Sequence, residues 1–194
     1  AEIETLTCDK NAAHGIELFS NSTVKCSESS FNGNSVCLSA KEGSEITLID
    51  STVTNHKVAV IGKENGTIIA SKVSFTNNVR CVIIGDGAEE STMTIDDCKF
   101  VKNGLHIESR YNSKIVCKGS EFSKSNGIGI NVAGGEVSLE RCAITEDKEA
   151  AIAAKGTLSL SGSRIEKCGQ CGIFLYGDNI TESTCIKENT IRNN

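Results

Sequence analysis

Residues 113–122 read SKIVCKGSEF, residues 135–144 read GEVSLERCAI and residues 156–165 read GTLSLSGSRI. In each stretch an aliphatic residue is followed, seven positions later, by a Phe or another large apolar residue. The pair recurs about every 22 residues, at Val24/Phe31, Ile46/Val53, Ile68/Phe75, Met93/Phe100, Ile115/Phe122, Val137/Ile144 and Leu158/Ile165. A repeat of this length predicts a solenoid, in which stacked units bury one continuous core.

The pattern inside each unit predicts strands. Apolar and small residues alternate along three short segments per unit, which is the period of a β-strand and not of a helix. Three strands separated by turns make one triangular coil, and the chain has room for about eight coils. The second member of each pair is expected to stack in one column inside the coil.

The three quoted stretches, with NGIGINV at 126–132 and CGIFLY at 171–176, resemble repeats of the pectin-lyase-like superfamily. The style is closest to non-catalytic β-helix domains of intracellular adaptors, such as the F-box β-helix proteins and the Shc SH2-domain-binding protein. The resemblance covers the chain from about Gly15 to Asn194. It implies an all-β, single-stranded, right-handed parallel β-helix with three short strands and about 22 residues per coil. Function does not follow from it, because this scaffold carries many activities.

Composition narrows the classes of partner. The 194 residues carry a net charge of −5, which does not favour binding to nucleic acid or to an anionic membrane. No apolar run approaches the roughly 18 residues of a membrane span. We expect residues 1–194 to form a single β-helix domain taken from a longer protein, because solenoids need capped ends.

Most of the ten cysteines are expected to be reduced core residues. On the repeat grid Cys81, Cys98, Cys117 and Cys142 each lie alone in their coils. Cys98 and Cys142 share a row but are two rungs apart, which is too far for a disulfide. This distribution favours a cytoplasmic protein, with a secreted or cell-surface protein as the alternative. Cys168 and Cys171 have the spacing of a zinc-binding pair, but no second pair follows, so we expect no metal and no cofactor.

Catalysis by a pair of carboxylates has little support in the sequence. The outward positions of the first two strands carry no ladder of acidic residues, and His106 with Glu108 is the one acid/base couple expected to share a rung. No catalytic residue is therefore predicted, and a polysaccharide lyase or glycoside hydrolase stays as the alternative. Glycan binding is a lesser alternative because the chain has no Trp and only two Tyr, and ice binding is one because only one rung of the first sheet, residues 92–94, reads Thr-x-Thr.

The third strand of each coil gives the strongest surface signal. With Val36/Leu38, Val58/Val60, Cys81/Ile83 and Leu105/Ile107 inward, the residues between and after them should form an unusually apolar outer face. We predict that this face binds a partner protein, another part of the same full-length chain, or a second copy in a homodimer. The predicted contact residues are Cys37, Ala59, Ile61, Val82, Ile84, His106, Glu108, Phe174 and Tyr176.

Acidic loops beside this face point to a basic partner. The loop at 85–91 contains Asp86, Glu89 and Glu90, and the loop at 145–149 contains Glu146, Asp147 and Glu149. The sequence therefore predicts a non-catalytic interaction or scaffold domain that presents its third sheet and these loops to a basic protein segment.

Overall fold

The computed structural model describes residues 1–85, 87–177 and 184–194, and the regular structure in these ranges is all β-strand. The chain visits three parallel sheets in turn, once per coil, and forms a right-handed β-solenoid of about eight coils with about 22 residues each. The predicted fold class is confirmed.

Each sheet is built from strands of successive coils. In the described ranges the first sheet contains Glu2–Glu4, Thr23–Ser27, Glu45–Ile49, Thr67–Ser71, Ser91–Asp96, Ser113–Lys118, Glu136–Glu140, Thr157–Ser161 and Cys185–Lys187. The second sheet contains Thr7–Asp9, Ser30–Asn32, Thr52–Thr54, Ser74–Thr76, Lys99–Val101, Glu121–Ser123, Ala143–Thr145, Arg164–Glu166 and Thr190–Arg192. The third sheet contains His14–Leu18, Val36–Ala40, Val58–Gly62, Arg80–Ile84, Leu105–Ser109, Ile130–Val132, Ile152–Ala154 and Ile173–Leu175.

The predicted core column lies inside the coil. Its members are fully buried, and the ring centroids of Phe75 and Phe122 lie 4.8 Å and 4.6 Å from that of Phe100 on either side. The spacing between hydrogen-bonded strands sets the distance between the rings, because equivalent residues of adjacent coils lie one strand spacing apart. The column runs through Phe31, Val53, Phe75, Phe100, Phe122, Ile144 and Ile165. Ile191 continues it in the last coil but is 44% exposed.

The corner between the first and second sheets repeats one hydrogen-bonding arrangement. A residue with positive φ makes the bend, in the row Glu28, Asp50, Lys72, Asp97, Gly119, Arg141, Gly162 and Glu188. The residue after it points inward: Ser51 Oγ accepts the backbone N–H of Ser29 at 3.0 Å and donates to the carbonyl of Ile49 at 2.7 Å. Ser120 and Ser163 make the same two bonds in later coils. These side chains satisfy backbone groups that the sheets leave unpaired.

The corner between the second and third sheets uses amide side chains for the same purpose. Asn34 Oδ1 accepts the backbone N–H of Asn11 at 2.8 Å, and Asn78 Oδ1 accepts that of His56 at 3.0 Å. Asn103 Oδ1 accepts that of Asn78 at 2.9 Å. Side-chain hydrogen bonds between coils therefore hold the corners as the backbone ladders hold the sheets.

The third sheet bends, so two successive residues face the core in the strands Val36–Ala40, Val58–Gly62, Arg80–Ile84 and Leu105–Ser109. Val36 pairs with Val58 and Leu38 with Val60, whereas Cys37 between them has no residue directly opposite in the register. Both Cys37 and Leu38 are nonetheless buried. Strict alternation of inward and outward residues therefore fails at this bend.

Candidate functional site on the third sheet

The structure places the nine predicted contact residues on both sides of the third sheet. Five of them, expected to face outward, are fully buried in the core: Cys37, Ala59, Val82, Ile84 and His106. Their predicted outward position is wrong. The other four reach the surface: Ile61 and Tyr176 are partly exposed, Glu108 has a side chain 13% exposed, and Phe174 is 53% exposed.

Two causes explain the wrong register. At the bend, Cys37, Ala59 and His106 occupy an extra inward position that a period of two does not contain. In the next strand, Arg80 and not Cys81 pairs with Val58. A slip of one residue moves every following side chain to the opposite face, so the predicted outward positions further along that strand are buried as well.

The true outer face of the third sheet has two rows. The first row contains Glu17, Ser39, Ile61, Ile83, Glu108, Asn131, Ala153 and Phe174. The second row consists of the residue that directly follows the end of each strand: Phe19, Lys41, Lys63, Gly85, Arg110, Ala133, Lys155 and Tyr176. Several first-row side chains are buried by their neighbours, including Ile83, which is 3% exposed. The face is therefore less apolar to solvent than the sequence predicts.

A cleft opens where the fifth strand of the third sheet, Leu105–Ser109, ends, and we call it the Tyr111 cleft. It encloses about 500 Å³ and is lined by Gly87, Glu108, Arg110, Tyr111 and Ala133. Glu108 Oε1 accepts the Arg110 Nε–H at 3.0 Å, while Glu108 Oε2 is buried and has no hydrogen-bond partner among the described residues. Tyr111 is 65% exposed. The cleft thus combines an open aromatic ring with a carboxylate oxygen that can accept another hydrogen bond.

Glycine positions the ring of Tyr111. A Cβ atom added to Gly134 would lie 2.8 Å from two ring carbons of Tyr111, so the ring rests directly on this backbone. No larger residue fits there without moving the ring. On the loop side, Asn112 Nδ2 donates to the carbonyls of Gly87 and Ala88 at 3.0 Å and 3.3 Å and fixes the loop that borders the cleft.

An exposed aromatic pair lies on the same face, three rungs from Glu108. The rings of Phe174 and Tyr176 stack with centroids 5.6 Å apart. The Tyr176 hydroxyl lies 3.4 Å from Asn131 Oδ1, and Ala153, between Asn131 and Phe174 in the first row, is only 1% exposed. Asn131 is also the neighbour of Glu108 in this row. The Tyr111 cleft and the aromatic pair are therefore parts of one continuous surface.

His106 and Glu108 do not form an acid/base couple, because they point to opposite faces of the sheet. The His106 ring is fully buried, and its Nε2 lies 3.3 Å from Asp147 Oδ1. Asn103 Oδ1 already accepts the backbone N–H of Asn78. The group of Asn103 that faces His106 Nδ1 is therefore its Nδ2, which donates to the ring nitrogen at 3.1 Å. The ring is therefore the tautomer with hydrogen on Nε2, which donates to Asp147.

Asp147 is also not part of an exposed acidic loop. It is 1% exposed, and its Oδ1 accepts the backbone N–H of Ser125 at 2.8 Å. A Cβ atom on Gly129 would lie 2.1 Å from Asp147 Oδ2, so glycine makes room for this carboxylate. Of the other predicted loop acids, Glu146 lies 3.7 Å from Lys124, and Asp86 lies outside the described residues.

The ten cysteines are unpaired thiols, but one pair is closer than the sequence indicates. Cys117 Sγ and Cys142 Sγ, on adjacent coils, are 3.7 Å apart. The contact is diagonal, between the end of a first-sheet strand and the next corner, so comparing positions within single rows misses it. The contact with Cys142 and burial raise the pKa of the Cys117 thiol. Cys168 is buried and Cys171 partly exposed.

Acidic side chains on the outer faces of the first two sheets pair with basic ones on the next rung. Lys114 lies 3.6 Å from Glu136, and Lys118 lies 3.3 Å from Glu140. Lys99 lies 3.6 Å from Glu121 on the second sheet. Within the described part of the chain, no group of three or more His, Cys, Asp or Glu side chains could hold a metal ion.

The chain belongs to the right-handed β-helix family. The family described as "Right handed beta helix region" matches residues 58–194, which is well over half of the chain. This match supports the superfamily and the fold but not the likeness to adaptor proteins. No curated protein matches the chain. Among the described residues, no helix is long and apolar enough to cross a membrane.

Sequence reasoning missed Arg110 and Tyr111 as residues of this site. One signal was available: both tyrosines of the chain, Tyr111 and Tyr176, lie on this face. Tyrosine is enriched at protein interfaces, because it combines a large apolar ring with a polar tip. Only the folded coil shows that the two rings border one surface.

Proposed function

We propose that this chain is a non-catalytic interaction domain that binds a partner protein with the outer face of its third sheet. The observation that carries the proposal is the continuous surface from Tyr111 to Phe174, with exposed aromatic rings at both ends and Glu108 and Asn131 between them. Aromatic anchors around a few polar groups are typical of the residues that dominate binding energy in protein interfaces.

A rigid scaffold supports this role. Hydrogen-bonded ladders in three sheets and side-chain ladders at two corners hold the surface residues in fixed relative positions. A surface that is already ordered loses less conformational entropy when a partner binds. The unpaired thiols also support the proposed cytoplasmic location, because buried reduced cysteines suit a reducing compartment.

The enzyme alternative requires acidic groups that work together. Glu108 is the one carboxylate among the described residues that line the Tyr111 cleft, and Glu136 and Glu140 on the first sheet lie in ion pairs with lysines of the neighbouring rung. Hydrolysis of a glycoside normally uses two carboxyl groups at a defined separation. The interaction role therefore fits the described surface better than lyase or hydrolase chemistry.

Capture of a partner by the purified domain tests the proposal. We expect Tyr111→Ala and Phe174→Ala each to weaken binding of the captured partner about tenfold or more, as for aromatic anchors elsewhere. Val79→Ala is the matched control, because Val79 is 64% exposed but lies at the corner before the third sheet. All variants should unfold at the same temperature as the unmodified domain.

Two results would contradict the proposal. One is a partner that binds Tyr111→Ala and Phe174→Ala with the same affinity as it binds the unmodified domain. The other is cleavage of a uronate polysaccharide by the purified domain that Glu108→Gln abolishes, which would support the enzyme alternative instead.

A further inference from the structure

We propose that the Tyr111 cleft is a pocket for one cationic side chain, an arginine or lysine, of the partner protein. This inference rests on the proposed interaction function and names the chemistry of the contact. It joins three features of the cleft: a carboxylate oxygen without a donor, an exposed aromatic ring, and space for a single side chain.

Glu108 provides the charge. Its side chain is 13% exposed, and only Oε1 is engaged, by the Arg110 Nε–H at 3.0 Å. Oε2 is buried without a partner among the described residues. A buried carboxylate oxygen without a donor is costly, and a charged N–H donor compensates best. The cleft therefore favours a ligand that brings an N–H donor with positive charge.

Tyr111 provides the apolar wall. One side of the ring rests on Gly134, and the residue is 65% exposed, so the ring remains available to a ligand. A guanidinium or ammonium group near an aromatic face is attracted by the ring, and the aliphatic stem of the side chain packs on it. Ala133 keeps the cleft open, at a position where neighbouring coils carry Arg110 and Lys155.

The size and the charge around the cleft fit a side chain from a basic segment. A cleft of about 500 Å³ accommodates a long side chain together with part of the segment that carries it, but not a folded element. On the other side of the 87–91 loop, a second depression is lined by Glu42, Glu64, Ala88 and Glu89. This acidic neighbour and the net charge of −5 favour a basic segment over an acidic or phosphorylated one.

Titration with short peptides tests the inference independently of the natural partner. The probes are the acetylated, amidated peptides Gly-Gly-Arg-Gly-Gly and Gly-Gly-Lys-Gly-Gly, with citrulline in place of arginine as the neutral control. We expect amide chemical-shift changes confined to residues 108–112 and 133–135 with the charged peptides. The citrulline peptide should bind at least tenfold more weakly, and added salt should weaken the charged peptides.

Two variants identify the groups responsible. Glu108→Gln keeps the shape of the side chain and should weaken the arginine peptide at least tenfold, whereas Glu140→Gln, on the first sheet, should leave it unchanged. Tyr111→Ala removes an exposed ring and should weaken the same peptide with unaltered thermal unfolding. It therefore tests the pocket even if Glu108→Gln disturbs the fold.

Equal binding of the citrulline peptide, shifts that map elsewhere, or binding of inorganic phosphate in the cleft would each overturn the inference. So would unchanged binding by both variants. The proposed function fails separately: a natural partner lost with Phe174→Ala but indifferent to Glu108→Gln would uphold the interaction domain and refute the cationic pocket.

Discussion

Substitution of Phe100 by alanine should strongly destabilise the fold. The ring is fully buried and stacks between Phe75 and Phe122 at centroid distances of 4.8 Å and 4.6 Å. Phe→Ala in a core costs about 3–5 kcal/mol, and the cost is larger where the cavity cannot collapse. Here strands above and below are fixed by parallel ladders, so the neighbouring rings cannot close the gap. We therefore expect about 4–5 kcal/mol, at the upper end of that range.

Equilibrium unfolding in urea, followed by far-UV circular dichroism, measures this effect. The urea concentration at which half the protein is unfolded should fall markedly for Phe100→Ala. The slope of the free energy of unfolding against urea concentration should change little. Phe174→Ala is the matched control, because the same ring is deleted from a side chain that is 53% exposed. Its effect should stay within about 0.5 kcal/mol, as for most surface substitutions.

A loss below about 1.5 kcal/mol for Phe100→Ala would refute the reasoning, because a truncated, fully packed aromatic ring cannot cost so little. The inward column would then be wrong. A large effect of Phe174→Ala would equally contradict the surface position of that residue.

Two further predictions test the register and the thiols. Ile84→Asp should lower the free energy of unfolding by more than about 4 kcal/mol and so prevent stable folding, because it buries an unpaired charge. Ile61→Asp, on the outer row, should change stability little. Similar losses of stability for the two variants in thermal melts would contradict the register. Burial raises the pKa of the Cys98 thiol to about 11, so reactive thiolate is scarce at neutral pH. Alkylation of the native protein, measured by mass spectrometry, should therefore be confined to the partly exposed thiols. All ten thiols should react only after denaturation. Early labelling of Cys98 would contradict its buried position. The partly exposed thiols are Cys8, Cys171 and Cys185.

The core columns were predictable because they depend on a local period. Val24 and Phe31 are seven residues apart in sequence, and the same spacing in later units predicted which residues stack. Each position of the first and second sheets keeps its register from coil to coil. A regular period is enough to assign such positions, because strands of equal length place residues at equivalent repeat positions on the same face.

The third sheet was not predictable in the same way. Its strands contain a bend with two successive inward residues, such as Cys37 and Leu38, and no period of two describes that. The longer spacing between Ile68 and Met93 adds residues to the segment that includes Gly87, and Gly87 lines the cleft. The positions of side chains in irregular segments depend on contacts between coils. The sequence pattern within one coil does not predict such contacts.

By itself, the sequence determined the coil, its length and its first two core columns, because hydrogen bonding in parallel strands converts a 22-residue repeat directly into a stack. Only the tertiary structure decided which face of the third sheet meets solvent. It buried His106 against Asp147 and set Tyr111 on Gly134 beside the half-engaged carboxylate of Glu108. These placements arise from packing between different coils, and such packing depends on distances that no periodic pattern records.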